Sequence, residues 1–258
     1  MLIVLPPSET KAPPPEIGPV LDLEALSFPE LLPIRRRVLE ALVETSARPD
    51  GLRRLMVRPT LAGEVARNTH LLDVPTRPAA EVYTGPLHAG FDVTHLGRTA
   101  RARLDREIVI TSALWGALRP GDRVPTYRLS IHAHLVGIDR LDATWRERLP
   151  GVLAAAAGRN GLIVDLRSTY YQAAGVPEEV GDRTVTVRVP QHARNGRRIG
   201  DVVAKRVRGE AAHWLLESGA APNDPDELAA VLGEQWPVEL REPERPGRSW
   251  TLTLRAPD

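Results

Sequence analysis

The chain has 258 residues, 42% hydrophobic and 26% charged, with a net charge of +1 and no cysteine. Length and apolar content suffice for a sizeable core, and one domain over residues 1–258 is expected. Without cysteine there is no disulfide, no thiolate metal site and no thiol nucleophile, and the balanced charge gives no global electrostatic case for nucleic acid.

No apolar stretch approaches the roughly 20 residues of a membrane span, and the amino terminus lacks the basic start of a signal peptide, so a soluble cytoplasmic protein with no membrane partner is expected. Of 34 Lys and Arg, only Lys11 and Lys205 are lysines. Where arginine serves every other solvated charge, a retained amine marks a place for a compact, titratable group; chance survival is the alternative.

Leu2-Ile-Val-Leu5 reads as a short strand running into Pro6-Pro7-Ser8-Glu9-Thr10-Lys11. The prolines at 13–15 make residues 12–19 a surface loop able to cover what lies at that strand's end. Ser27 and Glu30 have capping-box spacing, and the apolar positions from Leu31 to Val43 predict a helix to about Ala47. Two short helices follow between Leu52 and Thr69, separated near Arg58-Pro59. Leu61-Ala62-Gly63 there reads either as an ordinary helix break or as the tight turn of a helix-hairpin-helix, whose amides can hold a phosphate of a nucleic-acid backbone.

Tyr83-Thr84-Gly85-Pro86 reads as a turn, with a Tyr83 hydroxyl that needs a partner if buried. Helical spacing returns from Val93 to Leu104. Residues 107–111 form a second buried strand, opening into Ser112 and a run of turn residues to Asp122. Arg119, and Arg128 after Tyr127, are candidates for pairing an anion in two-pronged fashion; a structural pair with Asp122 or another acid is the alternative. His132 and His134 would share one face of a strand, but no third ligand is evident and no metal is assigned. Residues 145–157 read as a helix broken at Pro150-Gly151.

Leu162-Ile-Val-Asp-Leu-Arg-Ser-Thr-Tyr-Tyr171 is a third buried strand with Asp165, Ser168 and Tyr171 at its exit. If the three strands lie in one sheet and point the same way, their polar ends converge on one crevice, where α/β sheets bind ligands. Residues 183–189 alternate as a half-buried strand, Asn195-Gly196 carries a hairpin signal, and a long helix covers 199–217. Between Arg188 and Arg208 stand seven basic residues (Arg188, Arg194, Arg197, Arg198, Lys205, Arg206, Arg208) and one acid, Asp201. That cluster can follow a phosphate backbone, supply Lys205 and Arg208 to the crevice, or be a solvated basic face. The tail reads as a short helix, turns and a last strand, 249–254, at a sheet edge.

Taken together, Leu2 through Lys11, Val82-Tyr-Thr-Gly85, Ser112 through Pro120, Tyr127-Arg-Leu129, Asp165-Leu-Arg-Ser168 with Tyr171, and Ala204-Lys-Arg-Val-Arg-Gly209 resemble the YaaA-type peroxide-stress protein family, in the family's order and over nearly the whole chain. The resemblance implies a single α/β domain with a mixed sheet wrapped by helices and a helix-hairpin-helix-like element at Thr60-Leu-Ala-Gly63. It also implies a role in surviving peroxide, binding of double-stranded DNA and limitation of damage from free intracellular iron. The chain departs from some members at Glu9 and Thr60, where lysine occurs in relatives, and His132 and His134 match no part of the pattern.

Two functions follow. In the first, Arg188, Arg194, Arg197, Arg198 and Arg206, with the hairpin at Leu61 and Gly63, bind double-stranded DNA. In the second, an enzyme or small-ligand protein holds an anionic, nucleotide-like molecule in the crevice. Lys205 or Lys11 is then base or nucleophile, Asp165 orients a lysine, and Arg119, Arg128 and Arg208 take the anion. Ser8, Tyr83, Thr84, Ser112, Tyr127, Ser168 and Tyr171 complete that candidate site. No particular cofactor is indicated.

Overall fold

Leu2, Ile3, Val4 and Leu5 have no exposed surface, because the strand they form, β1 (Leu2–Leu5), lies inside a sheet covered on both faces. The structure, a computed structural model, describes residues 1–191 and 199–256. In chain order, β1 is followed by α1 (Leu32–Ala47), α2 (Gly51–Arg54), α3 (Ala62–Arg67), β2 (Arg77–Pro78), α4 (Ala79–Val82), α5 (Pro86–Phe91) and α6 (Arg98–Glu107). Next come β3 (Ile108–Ser112), β4 (Gly116–Leu118), β5 (Arg123–Val124), α7 (Leu141–Arg146), α8 (Leu149–Ala157), β6 (Ile163–Asp165) and α9 (Thr169–Gln172). The chain continues with β7 (Thr184–Arg188), α10 (Asp201–Glu217), α11 (Pro225–Gly233), β8 (Val238–Arg241) and β9 (Trp250–Leu254).

The seven-stranded sheet has the order β4-β3-β1-β6-β7-β9-β8, and β2 pairs with β5 separately. β1 is parallel to both β3 and β6, with Val4 opposite Val109 on one side and Asp165 on the other. The chain thus goes from β1 to one neighbour and later to the other, which makes β1 the switch point of the sheet. β6, β7 and β9 run parallel in turn, while β4 and β8 are antiparallel edges. The mixed α/β architecture and the shared direction of the three apolar strands are as the sequence predicts.

Local readings differ at several points. Ser27 does not cap α1: its hydroxyl and its N–H both donate to Asp122 Oδ1, at 2.8 and 3.0 Å, and the chain enters through a 3-10 turn at Pro29–Leu31. The helix break falls before Pro150, which sits in the first turn of α8, where a missing N–H costs nothing. β9 is not an edge strand; β8, unforeseen in the tail, takes that place. β4 was hidden in a run of turn residues, and the fully buried Arg35 of α1 holds it, donating to Trp115 O at 2.9 Å and Ala117 O at 2.7 Å.

Residues 130–135 form no strand, only a turn at 131–132, although Ile131, Ala133 and Leu135 are buried and His132 and His134 exposed. The proline loop packs away from the end of β1: Ala12 O accepts from Thr126 Oγ1 and Pro13 O from Arg77 Nη2. The link between α2 and α3 is residues 55–58, with Met56 at a φ of 56°, and a 3-10 turn at Pro59–Leu61 leads into α3. Leu61 closes that 3-10 turn, and Ala62 and Gly63 are the first residues of α3. Asn195-Gly196, Arg194, Arg197 and Arg198 fall outside the described residues.

α10 crosses α5 at two glycines. A Cβ on Gly209 would strike Leu87 O and Phe91 N, and one on Gly90 would strike Arg206 O. Only hydrogen at both positions lets the helices approach so closely. That crossing brings Lys205 to the end of β1.

Candidate active site at the end of the first strand

The segment after β1 folds back beside residues 82–84: Thr84 N–H donates to Thr10 O at 3.2 Å, Ala12 N–H to Val82 O at 2.8 Å, and Lys11 bridges Tyr83. This places Ser8 directly under Gly85, where a Cβ would strike the Ser8 hydroxyl. Thr111 Oγ1 donates to Leu5 O at 3.0 Å, locking the exit of β3 to that of β1.

Ser112 Oγ accepts the N–H groups of Leu114 and Trp115, at 3.1 and 3.0 Å. With both lone pairs engaged, its proton goes to Tyr127 Oη, 2.7 Å away. Tyr127 in turn donates to Tyr83 Oη at 3.0 Å, giving a buried hydroxyl chain with a fixed direction. Burial raises Tyr83 to about 12 and holds Tyr127 well above the usual tyrosine range, so both stay protonated.

Lys11 lies against this chain, its Nζ 4.4 Å from the centre of the Tyr127 ring and 5.7 Å from that of Tyr83. The amine donates to Ser8 O at 2.9 Å. The carboxylates of Glu9 and Glu64, which would otherwise pair with it, lie on Arg128 at 3.3 and 3.5 Å. Desolvation, opposed by Glu9, brings the Lys11 pKa from 10.5 down to about 8. At pH 7 roughly a tenth of such amines are uncharged, against about one in 3,000 for an ordinary lysine.

His88, from the first turns of α5, was not singled out in the sequence. Its Nε2–H donates to Pro6 O at 3.0 Å, and burial lowers its pKa to about 4, so it is a neutral ring with Nδ1 unprotonated. The available signal was Gly85-Pro86 opening a helix directly beside the turn after β1. His88 joins Ser8, Glu9, Tyr171 and Lys205 around a cavity of about 210 Å³ at the exit of β1.

The other predicted residues divide. Asp165 does not orient a lysine: fully buried, it takes Arg167 Nε and Nη2 at 2.9 and 2.8 Å. Lys205, half-exposed at the cavity, pairs with Asp201 at 2.6 Å, because one helical turn separates them. Arg208 reaches the exit of β6, donating to Leu166 O at 3.1 Å, and burial lowers its pKa. Ser168 starts α9 and is half-buried, and Tyr171 lines the cavity, its pKa raised by burial and by Glu9.

Three residues assigned to the anion have other partners or no side-chain contact at the cavity. Arg119 donates to Arg106 O and Ile108 O, at the start of β3 and the opposite end of the sheet from the cavity. Arg128 is within the site but its charge faces Glu9 and Glu64, so it is a structural clamp. Thr84 is exposed and contributes its backbone N–H. Of the predicted nucleic-acid residues, Arg188 is exposed at the end of β7, Arg206 is exposed and paired with Glu210 at 3.0 Å, and Gly63 is exposed beside the half-buried Leu61.

The family model for peroxide stress protein YaaA matches residues 1–240. A UPF0246 protein of Streptomyces coelicolor is 42% identical over 98% of both chains. UPF0246 proteins of Corynebacterium efficiens and Corynebacterium glutamicum are 38% and 34% identical, over 98% of this chain and 99% of theirs. No described helix is long and apolar enough to cross a membrane.

Proposed function

The chain belongs to the YaaA peroxide stress protein family, and on that premise we propose that it serves peroxide protection through chemistry on a small anionic, nucleotide-like molecule at the end of β1. The observation that carries this reading is Lys11, an amine bonded to the Ser8 carbonyl at 2.9 Å while the nearby carboxylates are held by Arg128. A nonspecific polyanion binder has no use for a desolvated amine beside a directed hydroxyl chain; a site that moves protons or attacks an electrophile does. Lys11 is the base or nucleophile, the Tyr83–Tyr127–Ser112 chain holds the proton network, and Lys205 meets the anion at the cavity mouth.

A second reading, binding of double-stranded DNA, is favoured by a separate groove of about 580 Å³ at the end of β7, to which Arg188, Arg241, Arg245 and Arg248 contribute. Glu242 and Glu244 also line it, which tempers its field. Limiting damage by free iron would be an indirect result of either activity.

A thermal-shift screen of nucleotides and phosphorylated metabolites, run beside DNA binding across a salt series, separates the two. The crevice reading expects one ligand class to raise Tm, with the shift lost in Lys11→Ala and Lys205→Ala and kept when Arg188 and Arg245 are both replaced by Ala. The DNA reading expects affinity that falls steeply with salt, weakens in the double arginine variant and survives in Lys11→Ala. A wild-type protein with no ligand shift would sink the first reading, and salt-independent binding the second.

A further inference from the structure

Tyr170 and Tyr171 are neighbours in the chain but line different cavities. We propose that the cavity beside Tyr170, of about 400 Å³, is a binding site for a planar, uncharged nitrogen heterocycle of the nucleobase class, stacked on the Tyr170 ring. It lies outside the Lys11 network and stands whether or not the crevice reading holds.

Four tyrosines occur in the chain; Tyr83 and Tyr127 are buried in the hydroxyl chain, Tyr171 lines the crevice, and Tyr170 is 63% exposed. Its ring meets His132 edge to face, with centroids 4.6 Å apart and planes at 85°. Such a contact orients the pair while covering at most one of their four ring faces, so flat aromatic surface remains open in the cavity. Two rings held this way lose little freedom when a third stacks on them, which makes them an efficient platform.

The remaining walls select the occupant. Ile131, Ala133 and Leu141 are buried and give the cavity an apolar floor. The charges at the rim are largely matched: Asp142 holds Arg140 at 2.6 Å and Arg146 at 3.0 Å. Asp139, exposed at the rim, adds a carboxylate that accepts from a ring N–H or amino group and repels an anion. An uncharged ring with donors on its edge suits this lining; a phosphate does not. The volume lies within the range of roughly 300–1,000 Å³ of small-molecule sites and accommodates a nucleoside. The same base can come as a free nucleoside or as an unpaired base of a single strand.

Adenosine, a single-stranded deoxyadenylate oligonucleotide and the same oligonucleotide in duplex form are titrated separately into the purified protein, followed by ligand-observed NMR. Saturable binding of adenosine, of the single strand, or of both is expected, and which of them binds identifies the source. Tyr170→Ala raises the Kd about tenfold or more, as loss of one stacked base does, while Tyr170→Phe and Lys11→Ala leave it unchanged. Because Tyr170 is exposed, its variants keep the wild-type Tm, so weak binding is not misread as unfolding. Failure of both adenosine and the single strand to bind would overturn the proposal. So would binding that survives Tyr170→Ala, is lost in Lys11→Ala, or is displaced equally by ribose 5-phosphate.

Discussion

Lys11 makes the stability of this protein depend on pH in a definite direction. Its folded pKa of about 8 is below the ordinary 10.5, so above about 8 the unfolded chain holds a proton that the folded one releases. Stability relative to a Lys11→Met variant therefore rises between about pH 8 and about pH 10.5 and is flat below, by up to a few kcal/mol in total. Urea unfolding of both proteins across that window measures the difference, and the comparison cancels tyrosine ionisation; a flat difference would mean the amine is solvated. The hydroxyl chain gives a second test. Tyr127→Phe strands the Ser112 donor and removes the partner of Tyr83, and is expected to cost about 1–2 kcal/mol in thermal unfolding.

At the level of elements, the α5–α10 crossing ties fold to site. Gly209 faces backbone atoms of α5, which cannot swing aside as a side chain can. Gly209→Ala is expected to destabilise by about 2 kcal/mol and to weaken any crevice ligand by shifting Lys205. Unfolding by calorimetry with a wild-type Tm would show that the helices have room. Gly63→Ala serves as the control, since nothing lies within 4 Å of its added Cβ. Arg35 makes a similar point for α1: its bonds to Trp115 and Ala117 carbonyls explain how a short edge strand persists among turn residues.

For the molecule as a whole, β1 is the hinge of the design, because β3 and β6 both pair with it. Removing residues 1–5 would split the sheet into β4-β3 and β6-β7-β9-β8, opening two apolar edges at once. A chain without cooperative thermal unfolding is expected, and a cooperative circular-dichroism melt of that truncation would refute the role given to β1. The strands β1, β3 and β6 were legible from residue order, since apolar runs of strand length ending in polar groups have few other solutions in a parallel sheet. At their exits Ser112, Tyr127 and Tyr83 form the hydroxyl chain, and Ser8 and Tyr171 line the cavity. What the residue order did not contain was the choice among pairings: a basic residue can meet a near neighbour in the chain or an acid brought to it across the fold. Asp165 closes on Arg167, Arg128 on Glu9 and Glu64, and Lys205 on Asp201, and these choices left Lys11 as the desolvated amine. The sequence by itself determined the three apolar strands β1, β3 and β6 and the mixed α/β class, through patterns that are local in the chain. Only the tertiary structure decided which charges are satisfied, because Coulomb energy follows separation in space and burial.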